Sequence, residues 1–358
     1  MPKIKLKSFP IQDFSIFDIV YDQIEYKIVD TIDELLAVDD YIPVINIYRL
    51  LKDRSKATEA TVLIDYLSAN TSAKIILLGV ADGANVMTDA ITLFRLNSFC
   101  DSKQIHLICS GEMDRDWSQI GLDIYVPLTG FLYNQIISAN HFERIFNTVN
   151  KPYKFLFLNK ARRDHREIML KELGDAGLLN SALWTDASRN ILLPEQYADY
   201  FNGQINSIKI NETSHDMSYA ASILNPPLYV DTYFSLITET NSDVPSRFFT
   251  EKLYKSILIG HPFIVVGCPG FYKFLHAEGY KTFDGFVDES FDNVDNLQER
   301  CKMISTEVTK LCSSDLDNFL QAVKPICEYN RLLFLEKLGK HQISTYYKLL
   351  DFLKNINA

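Results

Sequence analysis

Phe248-Phe249-Thr250-Glu251-Lys252-Leu253-Tyr254-Lys255-Ser256-Ile257-Leu258-Ile259-Gly260-His261-Pro262-Phe263-Ile264-Val265-Val266-Gly267 reads as a helix that runs into a buried strand. Phe249, Leu253 and Ile257 fall at i, i+4 and i+8, one apolar stripe, while Glu251, Lys252 and Lys255 lie off it. Ser246, at the end of the polar entry Ser242-Asp243-Val244-Pro245-Ser246, is the expected N-cap. Gly260 and Pro262 stop the helix. Phe263 to Val266 is the short, uninterrupted, β-rich apolar run of a parallel strand covered on both faces. Upstream, Tyr233 to Ile237 reads as another strand, ending in Thr238-Glu239-Thr240. The unit is therefore strand, polar loop, helix, strand.

The same alternation recurs along the chain. Ala73 to Val80, Gln104 to Cys109, Asp123 to Pro127, Tyr153 to Leu158 and Ala182 to Thr185 read as strands, with helices over Val86 to Phe99 and about 129–147. Repeated strand and helix predict an α/β protein with parallel sheets. Thr31 is placed to cap a short helix before the first of these strands. The length of 358 residues suits two domains. The polar break Asn147 to Pro152 sets their expected limits at 1–150 and 151–358. Asp186 to Pro227 is long and polar, either a mobile loop over the site or, the preferred reading, variable surface. Helices are expected over Leu297 to Leu311, Ser314 to Leu338 and about 341–355.

Composition narrows the function classes. A net charge of −10 disfavours a protein that wraps nucleic acid. The six cysteines form no CxxC pair, which suits reduced thiols, and the seven histidines never pair at i, i+3 or i, i+4, so no structural zinc is expected. No apolar stretch reaches the length of a signal core or a membrane span. These readings predict a soluble, cytoplasmic protein.

In a doubly wound sheet, ligands bind beyond the carboxyl ends of the strands, where helix N-termini favour anions. Glu239, Thr250, Glu251 and Lys252 fall at that edge. A carboxylate there can accept sugar hydroxyls and a lysine can offset phosphate charge, a pairing that suits a nucleotide-sugar. Spacing alone also allows Glu251 and Lys255 to be an ordinary i, i+4 surface pair worth about 0.2–0.5 kcal/mol. A second cluster, Asn159-Lys160-Ala161-Arg162-Arg163-Asp164-His165-Arg166, puts five basic side chains in a loop and helix start, where cations oppose the helix dipole. A bound diphosphate would give that choice a reason; a solvated patch or an interface salt bridge is the bland alternative.

Glu239-Thr240, Phe249-Thr250-Glu251-Lys252, Ile257 to Gly260 and Pro262 to Val265 together resemble the donor-binding segment of Leloir glycosyltransferases of the GT-B fold, nearest the fucosyltransferase-like kind. Gly279-Tyr280-Lys281-Thr282-Phe283 and Asp288-Glu289-Ser290-Phe291-Asp292 resemble segments of glycosyltransferase-like proteins from phages and marine microbes. Asn159, Arg163, His165 and Arg166 match the Asn-x-x-x-Arg-x-His-Arg pattern of that group. The resemblance covers about 150–305. It implies a GT-B architecture, two Rossmann-like domains with parallel sheets facing a cleft, and a nucleotide-diphosphate sugar as donor substrate with no cofactor. Arg163, Arg166 and Lys252 would then hold the diphosphate, Glu251 the ribose or sugar, and Glu239 the sugar. Asp288 and Glu289 depart from the fucosyltransferase pattern and are expected to cap or pack.

For a catalytic base, the loops after N-terminal strands offer Asp82, Glu112 and Asp114, with Glu112 first by position. The resemblance to the GT-B kind implies metal-independent transfer, although Asp114-Arg115-Asp116 stands as an Asp-x-Asp pair beyond the strand Gln104 to Cys109. The acceptor hydroxyl is left among a glycan, a small molecule and a hydroxymethylated DNA base. A non-catalytic nucleotide-sugar-binding protein of the same fold is the first rival. A dinucleotide-dependent oxidoreductase ranks last, because Gly79-Val80-Ala81-Asp82-Gly83 is a poor G-x-G-x-x-G.

Overall fold

The computed structural model describes residues 3–8, 23–46, 57–79, 96–109, 112–113, 122–125, 139–160, 162–197, 224–240, 242–243, 246–247 and 249–357. The chain forms two compact units, Met1–Gly130 with Gly339–Ala358, and Phe131–Leu338.

In the first unit, strands β1 (Ile4–Ser8), β2 (Ile24–Ile28), β3 (Ile42–Asn46), β4 (Ile75–Gly79), β5 (Ile105–Cys109) and β7 (Leu122–Tyr125) form one sheet in the order β2-β1-β3-β4-β5-β7. Every pairing is parallel. The two-residue strand β6 (Glu112–Met113) lies outside it. Helices α1 (Ile32–Leu36), α2 (Ala57–Ala69) and α3 (Asn97–Asp101) occur between the strands.

β4 shows why the sheet is doubly wound. Ile75 and Leu77 join a core with Leu35 of α1 and Leu63 and Leu67 of α2. Ile76 and Leu78 point to the other face, where Leu349, Leu353 and Ile356 close it. Alternation along one strand thus buries both faces, as expected of a parallel sheet. Thr31 starts α1 with a full capping box: its hydroxyl accepts the Glu34 N–H while Glu34 accepts the Thr31 N–H.

In the second unit, helix α4 (Ala139–Asn147) precedes β8 (Tyr153–Asn159), α5 (Asp164–Asp175), β9 (Ala182–Asp186), α6 (Pro226–Val230) and β10 (Thr232–Thr238). The two-residue strand β11 (Ser246–Arg247), α7 (Glu251–Ile259), β12 (Phe263–Val266), α8 (Phe271–Ala277), α9 (Leu297–Ser313) and the part of α10 (Leu316–Asn357) up to Leu338 complete it. The sheet order is β12-β10-β8-β9, again all parallel. All seven residues of β10 are buried, which fits a central strand. The expectation of an α/β protein with two parallel, Rossmann-like sheets holds.

Two boundaries differ from the sequence reading. α4 buries Phe142, Ile145 and Phe146 in the core of the second unit, so the break falls ahead of this helix and not at residue 150. α10 is one continuous helix where separate helices over 314–338 and 341–355 are expected, and its last turns belong to the first unit. Gly339 costs about 1 kcal/mol inside a helix, less than the burial of Leu349, Leu353 and Ile356 returns.

Candidate functional site

The strand order of the second unit reverses between β8 and β10: β9 follows on one side of β8, while β10 and β12 lie on the other. In an open α/β sheet that switch point leaves a crevice beyond the carboxyl ends of the two strands. β8 ends at Asn159 and β10 at Thr238, directly before Glu239. α5 starts after the first and α7 after the second, so both basic and acidic clusters of the sequence meet at one edge.

The start of α7 differs from the sequence reading. Ser246 belongs to β11, and the N-cap is Thr250, whose hydroxyl accepts the Lys252 N–H at 3.3 Å. The helix waits for Thr250 because a second partner holds that residue. Glu239, directly after β10, accepts the Thr250 N–H at 3.1 Å on one carboxylate oxygen and the Thr250 hydroxyl at 2.5 Å on the other. The second oxygen also accepts the Thr240 N–H at 3.2 Å. Gly260 ends the helix in the left-handed conformation, as expected, and its missing Cβ leaves room for the ring of Phe142.

Glu239 is expected from the sequence to face the sugar, yet it is 1% exposed and both its oxygens serve protein donors. Burial pushes its carboxyl above the usual value, against the pull of Lys252 and the Thr250 hydroxyl. Glu251 and Lys252 keep side-chain exposures of 25% and 29% and pair at 3.1 Å. They are the charged groups of this helix start that a solute can reach. Lys252 Nζ also donates to Thr250 Oγ1 at 3.1 Å and lies 3.4 Å from Thr240 Oγ1. Burial works to raise the Glu251 carboxyl, but Lys252 and Lys255 outweigh it and hold the group below its usual value. Lys255 pairs electrostatically with Glu251, and burial draws its ammonium down to about 8. Sequence offers only the i, i+4 spacing for this lysine; its partial burial among charges is invisible there.

On the β8 side, Arg163 is the exposed N-cap of α5 and contributes no side-chain capping bond. His165 and Arg166 turn inward, at 2% and 5% exposure. Arg166 donates to the Thr238 carbonyl at 3.4 Å. His165 Nε2 lies 2.8 Å from the Glu239 carbonyl oxygen, which only accepts, so the ring donates from that nitrogen. Its Nδ1 is 2.9 Å from the Ser242 hydroxyl. Burial, helped by Arg166, lowers the imidazole to about 4, so the ring is neutral at neutral pH. Of the five basic side chains in the motif, His165 is therefore a structural strut and not a cation. Asn159 is 5% exposed; its Oδ1 accepts the Thr238 hydroxyl at 2.6 Å, while its buried Nδ2 has no hydrogen-bond partner among the described residues.

The remaining sequence candidates divide. Asp82 and Asp114 lie outside the described residues, and Glu112 sits in β6. Asp288 caps a 3-10 turn by accepting the Ser290 N–H at 3.0 Å. Glu289 accepts the Thr282 hydroxyl at 2.8 Å and the Phe283 N–H at 3.0 Å. Asp292 accepts the N–H groups of Tyr272 and Lys273 at the start of α8, at 3.0 and 3.3 Å. The segments 279–283 and 288–292 thus clamp one another and α8, as packing and capping predict. The described cysteines Cys100, Cys268, Cys301, Cys312 and Cys327 are all buried free thiols. Among the described residues no helix is long and apolar enough to cross a membrane.

No family model matches the chain, and no curated protein sequence does. Two solved structures are similar to it in fold. One is an α1,3-fucosyltransferase crystallised with GDP-fucose: 10% identity, 99% of this chain and 90% of that one covered, TM-score 0.42. The other is a putative UDP-N-acetylglucosamine 2-epimerase from Listeria monocytogenes: 11% identity, coverages of 90% and 95%, TM-score 0.34.

Proposed function

We propose that this protein is a glycosyltransferase of the GT-B kind, and that it binds a nucleotide-diphosphate sugar at the β8/β10 edge of its second unit. The observation that carries the reading is the convergence of two helix starts on a single switch point, one bringing Arg163 and Arg166, the other Glu251 and Lys252. Helix N-termini and fixed cations suit a diphosphate. Glu251, ionised and partly exposed, suits the hydroxyls of a ribose or a hexose. Asn159 Nδ2 is a further buried donor with no acceptor among the described residues.

In transfer, an acceptor hydroxyl forms the new bond to the anomeric carbon as the bond from that carbon to the diphosphate oxygen breaks. The hydroxyl proton passes to a base, for which Glu112 and Asp82 are the candidates. Arg163, Arg166 and Lys252 take the charge that develops on the leaving diphosphate, which makes a metal ion dispensable. The acceptor is a glycan, a small molecule or a hydroxymethylated base.

The test is an assay for nucleoside diphosphate released from GDP-, UDP-, CDP- and dTDP-sugars, with and without acceptor and chelator. Acceptor-stimulated release that survives chelator supports the reading. Binding of a nucleotide-sugar with neither transfer nor hydrolysis would instead mark a non-catalytic binding protein.

A further inference from the structure

We infer that Glu239 is a positioning residue: it touches no ligand and acts through Thr250 to fix the helix start that presents Glu251 and Lys252. The inference rests on the donor-site reading above and changes the role of one residue within it.

A carboxylate that binds sugar must offer a lone pair to solvent. Glu239 is 1% exposed and offers none to solvent, and three protein donors converge on its oxygens: the N–H and hydroxyl of Thr250 and the N–H of Thr240. Its main chain is equally committed. The Glu239 N–H donates to the Val266 carbonyl at 3.1 Å, which ties it to β12, and its carbonyl accepts from His165 of α5. Glu239 therefore joins the ends of β10 and β12 to the starts of α5 and α7.

Thr250 passes the constraint on. Its hydroxyl has one hydrogen, which goes to Glu239, and its lone pairs face Lys252, accepting both the backbone N–H and Nζ. The carboxylate thereby orients the hydroxyl, and the hydroxyl orients Lys252. Glu251 follows because it is the first residue of the helix so fixed and pairs with Lys252. A neutral or shorter side chain at 239 would free the Thr250 hydroxyl to turn, and the site would lose its geometry while keeping every group that contacts ligand.

A double-mutant cycle separates this from direct contact. Glu239→Gln, Thr250→Val and the pair are titrated with GDP, UDP, CDP and dTDP by calorimetry, with melting temperatures recorded to confirm folding. Each single change is expected to weaken nucleoside diphosphate binding about tenfold or more, and the pair no more than about threefold beyond the weaker single, because both cut one path. Thr250→Ser, which keeps the hydroxyl, should bind within about threefold of wild type. Losses that multiply in the pair would place Glu239 on the ligand and overturn the inference. Hydrogen exchange at the Thr250 and Lys252 amides gives a ligand-free arm: exchange should quicken in Glu239→Gln, and unchanged exchange would also overturn it. Wild-type protein that binds none of the four nucleotides would sink the donor reading and the ligand-directed role of Glu239 together; the exchange result would still show whether Glu239 holds the helix start.

Discussion

His165 donates from Nε2 to the carbonyl oxygen of Glu239 across 2.8 Å, joining the first turn of α5 to the end of β10. Burial beside Arg166, working against this bond, keeps the ring neutral, and this has a consequence for stability. The imidazole sits at about 4 in the folded protein against about 6.5 unfolded. Between those values the unfolded chain binds more protons, so the contribution of His165 is complete above pH 6.5 and is lost as pH falls toward 4. Over that whole range the loss is on the order of 3 kcal/mol. Glu239 works in the opposite sense, because its raised carboxyl favours the folded state as pH falls. The residue-specific test is therefore a comparison: urea unfolding of His165→Gln should lose less stability than wild type between pH 6.5 and 4.

Replacing Glu251 by Ala should remove nucleotide binding and leave the melting temperature within a few degrees of wild type. The side chain is only partly buried, and its partners Lys252 and Lys255 stay in contact with solvent. Lys252→Ala should weaken nucleoside diphosphates more than nucleosides, since the proposed site gives its charge to the phosphates. Parallel thermal-shift and calorimetric titrations check both.

Gly260→Ala should destabilise the second unit by roughly 2–4 kcal/mol. Its φ is 76°, and an added Cβ would sit 2.3 Å from Cδ2 of Phe142, which is buried in the core. Denaturant unfolding measures this; a change below about 1 kcal/mol would mean that α4 can shift away from the helix end.

On the proposed function, chelator should leave sugar transfer unchanged, with Arg163, Arg166 and Lys252 supplying the positive charge that a metal would otherwise bring. A strict requirement for a divalent ion in the release assay would contradict that assignment.

Much of the fold is legible in the sequence because parallel strands announce themselves as short apolar runs. Phe263 to Val266 and Tyr233 to Ile237 emerge within a residue or two of their observed ends. The apolar stripe Phe249, Leu253 and Ile257 is buried as its spacing requires. Local pattern misplaces the start of α7 because the choice between Ser246 and Thr250 rests on a partner eleven residues upstream of Thr250, Glu239, which no local pattern reveals. Tertiary burial likewise hides the sorting of the basic motif: Arg163 and His165 look alike in sequence, but one is an exposed cap and the other a neutral strut. α4 joins the second unit, ahead of the expected limit at residue 150, and its own amphipathic pattern does not announce which core it meets.

Binding of a nucleotide diphosphate at the β8/β10 edge is tested most directly by calorimetric titration of wild type and Arg166→Met with GDP, UDP, CDP and dTDP. Arg166 sits under that edge against the Thr238 carbonyl, and its loss removes charge without opening the surface. One nucleotide should bind wild type selectively and bind the variant at least about tenfold more weakly, a difference of about 1.4 kcal/mol. Equal affinity in the two proteins, or no binding to wild type by any of the four, would contradict a donor site at this edge.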